Sequence, residues 1–247
     1  MKLTAVQTLQ RGVAAHKEGN LHEAEQFYRA DLLSKSRYLK TLQDIDVMAE
    51  AHANLGVSLN QREDRDAAIN SLKQAVKIKP NYTEVYYVMG HAFRDKGDIK
   101  ASIDCYQQAV SNNPGNADAL INLGAALQHN GELEAAINSY QQALKISPEC
   151  AEAHNNLGST FLEKGYLGAA IDSYKEAIKI KPDYANAYNN LGHAFHDKGD
   201  LAASLDCYKS ALKIGPYSPQ THNNIGSALR DIGNYQEAIK HFDCVVA

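Results

Sequence analysis

Five asparagines stand at one register of the chain, Asn54, Asn122, Asn156, Asn190 and Asn224, spaced by 34 residues or twice that, with Val88 in the remaining place. A carboxamide both donates and accepts, so it can meet a peptide C=O and a peptide N–H together and read backbone rather than side chain. Seven residues after this register come Asp95, Glu163, Asp197 and Asp231, and His193 and Tyr87 lie at neighbouring offsets. This is chemistry for holding a polypeptide, not for breaking bonds. No Ser/His/Asp or Cys/His arrangement, phosphate loop or paired catalytic carboxylate stands out from the pattern, so no catalytic residue is assigned and the chain reads as a non-enzyme. His193 and His196 are three apart but the sequence places no third ligand, and the four cysteines form no CxxC pair, so no metal and no cofactor is expected.

The elements that must carry these residues follow from a second set of positions. Pro80, Pro114, Pro148, Pro182 and Pro216 are 34 residues apart, and Gly56, Gly90, Gly124, Gly158, Gly192 and Gly226 keep the same step. A fixed period of this length marks a repeat array. In the unit from Ala151 to Tyr184, apolar residues fall at helical spacing in two blocks, His154/Leu157/Phe161 and Leu167/Ile171/Tyr174/Ile178, separated at Gly165. Two antiparallel helices with a tight turn are expected, all-α, repeated down the chain. Gly165 suits a left-handed residue past a helix end, as do Gly97, Gly131, Gly199 and Gly233, whereas Glu63 in the second unit calls for another turn conformation. Pro182 ends the second helix. Gly158, Ala170 and Ala177 are small at points of close approach, and His52, His154 and His222 stand where a bulky packing residue recurs.

Leu157-Gly158, Phe161, Ala170, Tyr174 and Pro182 together resemble the signature of the tetratricopeptide repeat, over nearly the whole chain. That resemblance implies a single α-solenoid, a right-handed superhelix of helix pairs, over residues 1–247. The repeats are 5–48 (degenerate), 49–82, 83–116, 117–150, 151–184, 185–218 and an incomplete 219–247. It also implies that the first helices line a concave surface that commonly holds an extended peptide. The asparagine register is similar to the ladder in the superhelix of O-GlcNAc transferases, with Val88 a broken rung. Repeat inheritance offers a second source for the asparagines, because a three-repeat block is copied: HAFRDKG at His91 returns as HAFHDKG at His193, and KIKPNY at Lys77 as KIKPDY at Lys179.

Two irregularities remain. The Gly12 to Gly56 step is 44 residues, and Leu32 to Met48 lacks Pro and Gly while Leu39, Leu42, Ile45 and Val47 continue an apolar pattern, so longer helices rather than a loop are expected there. The last unit stops at Ala247 within its second helix, leaving Tyr235, Ile239, Phe242 and Val246 without a polar capping helix. The leading expectation is a non-enzymatic protein-interaction scaffold; the alternatives are that the protein continues as the targeting arm of a larger enzyme such as a glycosyltransferase, or that this end pairs with another copy as a homo-oligomer.

Charge narrows the partner. A net charge of −4 gives no basic stripe for phosphates, so nucleic acid is not expected, and no run of 18 apolar residues or signal-like stretch appears, so membrane is not expected and the chain reads as soluble and cytoplasmic. Glu50, Glu84, Asp118 and Glu152 begin first helices, where the macrodipole favours acids. Asp95, Glu163, Asp197 and Asp231 lie near helix ends, where it does not, with Lys96, Lys164 and Lys198 adjacent to offset the cost. An acidic groove prefers neutral or basic segments. Tyr87, Ile121 and Leu162 are apolar contributors at nearby offsets.

Overall fold

The computed structural model describes residues 5–35 and 42–246. These residues form fourteen α-helices and, among them, no strand. Contacts divide the chain into two compact units, Met1–Asn130 and Gly131–Ala247. The first holds α1 (Ala5–Lys17), α2 (Leu21–Lys35), α3 (Leu42–Gln61), α4 (Arg65–Ile78), α5 (Thr83–Lys96), α6 (Ile99–Asn112) and α7 (Ala117–His129). The second holds α8 (Leu133–Ile146), α9 (Ala151–Glu163), α10 (Leu167–Ile180), α11 (Ala185–Asp197), α12 (Leu201–Ile214), α13 (Pro219–Asp231) and α14 (Tyr235–Val246).

Within each unit consecutive helices pack as hairpins, and each hairpin packs on the next. Asp98 and Asp200 accept from the N–H of Ala101 and Ala203 at 3.1 Å, capping α6 and α12. Gly19, Gly97, Gly131, Gly165, Gly199 and Gly233 take φ between +78° and +87° at the turns. Glu63 takes the same left-handed conformation at φ +64°, against the different turn that its side chain suggests. The reason is in the backbone: Glu63 N–H donates to Asn60 O and Asp64 N–H to Leu59 O, both at 3.0 Å, the bonds that Gly97 and Asp98 make to Arg94 and Phe93. Those two bonds and the Asp64 cap on Ala67 N–H hold the left-handed residue in place despite its Cβ.

Gly90, Gly158, Gly192 and Gly226 sit where an aromatic ring of the partner helix crosses, and Gly56 where Leu72 does. A Cβ added to Gly158 would lie 2.7 Å from Tyr174, and one added to Gly192 would lie 2.6 Å from Tyr208. Tyr28, Tyr106, Tyr174 and Tyr208 are fully buried in this way, and Ala170 and Ala177 have no exposed surface. The long spacing before the second hairpin is met by α3, whose 20 residues exceed the 13 or 14 of α5, α7 and α9 and take in Leu42, Ile45 and Val47. Helix α3 therefore starts at Leu42 rather than Ala49; Leu39 lies outside the described residues.

Candidate functional site

In the second unit the rungs stand on the first helices of three hairpins. Asn156 on α9, Asn190 on α11 and Asn224 on α13 are all half-buried. They are tied to asparagines one position earlier that sequence reasoning passed over. Asn190 Nδ2 donates to Asn155 Oδ1 at 3.0 Å, Asn224 Nδ2 donates to Asn189 Oδ1 at 3.1 Å, and Asn155 Nδ2 donates to Asn156 Oδ1 at 3.3 Å. Asn155 and Asn189 are 7% and 8% exposed, so their carboxamides lie between helices rather than on the surface. The doublets Asn155-Asn156 and Asn189-Asn190 were the available signal, but the bond runs 35 residues along the chain, which becomes legible only once the hairpins are stacked.

The first unit shows the same stagger with a tyrosine in the earlier position. Asn122 Nδ2 donates to Tyr87 Oη at 3.1 Å and to the Asp118 carbonyl at 2.8 Å, while Asn122 Oδ1 accepts from Arg94 at 3.2 Å. Tyr87 in turn meets His91 edge-on with centroids 4.5 Å apart, and His91 Nδ1 lies 3.1 Å from Tyr106 Oη. Burial, with the Arg94 charge, pushes His91 below the usual histidine range. Asn54 is half-buried on α3, and Val88 packs against the apolar cluster around Leu72 and Met89. Ile121 is only 7% exposed, so it belongs to the core and cannot contribute an apolar contact to a ligand. Its position points between helices, as Asn155 and Asn189 do.

The acids are largely partnered, and not by the neighbouring lysines. Lys96 pairs with Asp66 on α4 and Lys164 with Glu134 on α8, each reaching back to the preceding helix pair. Asp95 instead meets Arg94 at 3.2 Å. Asp231 meets Arg230 at 3.0 Å and His196 Nε2 at 3.0 Å, and the Arg230 guanidinium, then His196, hold its carboxyl below the usual range. His193 Nδ1 lies 3.5 Å from Asp197, and Glu163 is exposed at the end of α9. Of the packing histidines, His52 faces Ser71 at 3.5 Å and His222 faces His241 at 3.0 Å, each linking the two helices of its hairpin. His154 instead bonds the Pro148 carbonyl at 3.0 Å in the loop before α9.

A cavity of about 530 Å³ in the first unit, floored by Leu32, Leu55 and Leu59 and rimmed by Arg29, His52 and Gln74, includes none of the predicted site residues. Among the described residues no group of three or more His, Cys, Asp or Glu is placed to hold a metal ion, and no helix is long and apolar enough to cross a membrane. All four cysteines are free thiols. Tyr235 and Ile239 on α14 are 63% and 58% exposed, and Phe242 is half-buried against Gly226.

The family model described as TPR repeat matches residues 56–93, 90–131, 129–165, 158–199 and 192–233. The chain belongs to the TPR repeat family. The fold is an all-α helical repeat of the solenoid class, and its TPR repeats make it a scaffold for protein interaction. No curated protein matches it. The crystal structure of MamA is 29% identical over 64% of this chain and 92% of that one, with a TM-score of 0.59. PilF of Pseudomonas aeruginosa superposes with a TM-score of 0.67 at 17% identity over 80% of this chain and 90% of that one. YrrB, described as a TPR protein with an unusual peptide-binding site, gives 0.62 at 21% identity over 70% and 89%. The last two likenesses are of fold alone.

Proposed function

We propose that this TPR protein holds an extended, neutral-to-basic polypeptide segment along the first helices of its hairpins, with the asparagines of the shared register contacting the segment's backbone. The observation that carries the reading is the row Asn156, Asn190 and Asn224 on α9, α11 and α13, half-buried, in which Asn155 ties Asn156 to Asn190 and Asn189 accepts from Asn224. A row of carboxamides, one per hairpin, matches a repeating backbone better than any single side chain. First helices packed about 8–10 Å apart would meet roughly every third residue of a strand rising ~3.3 Å per residue. YrrB, a structural neighbour described as having a peptide-binding site, supports the class of ligand.

Asp95, Glu163, Asp197 and Asp231, exposed at the ends of their helices, set the charge preference. A peptide array spanning neutral, lysine-rich and acidic sequences tests the reading. Neutral and basic segments should bind, and Asn190→Ala/Asn224→Ala should weaken the tightest of them by about tenfold, the loss of two hydrogen bonds at ~0.5–1.5 kcal/mol each. Unchanged affinity in the double variant sinks the ladder; preference for acidic segments sinks the charge assignment.

A further inference from the structure

Asn155 and Asn189 occupy a position that the fold does not require to be polar. Ala53 and Ile121 stand there in the first unit and are 6% and 7% exposed, so an apolar side chain packs well. A buried carboxamide is unfavourable unless it is hydrogen-bonded. Both asparagines are bonded to the rung of the next hairpin and to little else: Asn155 to Asn190 and Asn156, Asn189 to Asn224. Among the described residues nothing donates to Oδ1 of Asn190 or Asn224.

The direction of the amide is fixed by chemistry at the matching rung of the first unit. The Asp118 carbonyl can only accept and the Arg94 guanidinium can only donate, so Asn122 must aim its NH₂ at Asp118 and Tyr87 and its Oδ1 at Arg94. Asn190 and Asn224 repeat that orientation toward the residue 35 positions earlier. In the second unit no arginine covers the oxygen.

We propose that Asn155 and Asn189 are positioning residues: each takes an N–H from the following rung and leaves that rung's Oδ1 as a free acceptor for a backbone N–H of the bound segment. The second unit then selects segments with an N–H opposite Asn190 and Asn224 and rejects proline there, because proline has none. The selectivity rests on the segment-binding reading above; the positioning role does not.

The side-chain ¹H–¹⁵N signals of Asn190 in the ligand-free protein decide the positioning role. Asn155→Asp keeps an acceptor, so the Asn190 NH₂ should stay protected from solvent exchange; Asn155→Ile, which copies Ile121, should speed that exchange at least tenfold. Asn189→Asp and Asn189→Ile, read at Asn224, should behave alike. Wild-type protection in the isoleucine variants, or equal loss in the aspartates, overturns the proposal. Should an isoleucine variant not fold, the wild-type scalar coupling across the hydrogen bond from Asn190 Nδ2 to the Asn155 carboxamide decides, and its absence overturns the assignment. A proline scan of the tightest array peptide reads the selectivity. Binding should fall at least tenfold at two positions about three residues apart, those facing Asn190 and Asn224, and uniform tolerance overturns it. An array with no binder at all counts against the groove, while the amide measurement still settles the positioning residues.

Discussion

Gly192 is the position where the period, the packing and a single methyl group meet. Replacing it with alanine would put a Cβ 2.6 Å from both Cδ1 and Cε1 of Tyr208 and 3.1 Å from Cζ. Unstrained carbon contacts lie at about 3.5–4.0 Å, so the overlap is roughly 1 Å. The ring cannot swing aside: Tyr208 is 1% exposed and walled by Leu205, Ile225 and Leu229. Overpacking of this kind costs about 1–3 kcal/mol, and an overlap against a rigid ring belongs at the upper end. The helix gains ~0.5–1 kcal/mol from Gly→Ala, so the net loss is about 2 kcal/mol. Gly168 provides the control: it lies in α10 and a Cβ there meets nothing within 4 Å, so Gly168→Ala should stabilise by ~0.5–1 kcal/mol. Thermal unfolding followed by far-UV circular dichroism should place Gly192→Ala roughly 4–8 °C below the wild type and Gly168→Ala a few degrees above it, at about 2–4 °C per kcal/mol. Equal melting of the two variants would refute the claim that the glycine step exists to admit the tyrosine.

Glu63→Gly should raise stability by about 0.5–1 kcal/mol in urea unfolding, because the left-handed φ of +64° strains any residue with a Cβ; a loss would mean that the Glu63 side chain supplies more than its backbone costs. Burial pushes the Cys105 thiol up to about 12 and that of Cys207 to about 11, while Cys244 is exposed, so iodoacetamide at pH 8 should label Cys244 and spare the other two until the chain unfolds, as peptide mapping can show. Burial also raises the Tyr28, Tyr106 and Tyr174 phenols from 10.0 to about 12. The folded state favours their neutral form, so this stabilisation is fully present below pH 10 and is lost as pH rises through about 12; the urea midpoint should fall steadily over that window, and a flat profile would contradict the burial.

What the sequence made legible was whatever the period demanded locally. Left-handed turns at Gly97 and Gly165, helix ends ahead of Pro148 and Pro182, and the Gly158–Tyr174 approach are each set within one hairpin, where side-chain volume and backbone conformation decide. Glu63 departs from what its residue type suggests because two backbone hydrogen bonds that recur at the other turns hold its left-handed conformation. The lysine assignments failed for a geometric reason: Lys96 and Lys164 are adjacent in sequence to Asp95 and Glu163 but pair with Asp66 and Glu134, thirty residues away on the preceding helix pair. Asn155, Asn189 and Ile121 share one register, yet two are polar and one apolar, so helical periodicity alone files them all as core.

The stagger of 35 residues also changes how many rungs count. Five rungs at ~0.5–1.5 kcal/mol would supply roughly 2.5–7.5 kcal/mol before the entropy of ordering a segment. Asn122, however, spends its amide on Tyr87 and Asp118 and its oxygen on Arg94, so a ligand would have to displace an arginine to gain that rung. In the second unit Asn190 and Asn224 each commit one N–H and keep the oxygen, and Asn156 commits its oxygen and keeps the NH₂. The three rungs of the second unit give about 1.5–4.5 kcal/mol, which at best approaches millimolar affinity. A tighter complex must draw the difference from side chains beside the ladder, and Asp197, an exposed acid beside His193, is where a basic residue of the segment gains most. Charge reversal at Asp197 should therefore weaken a lysine-rich segment more than removal of any single rung does.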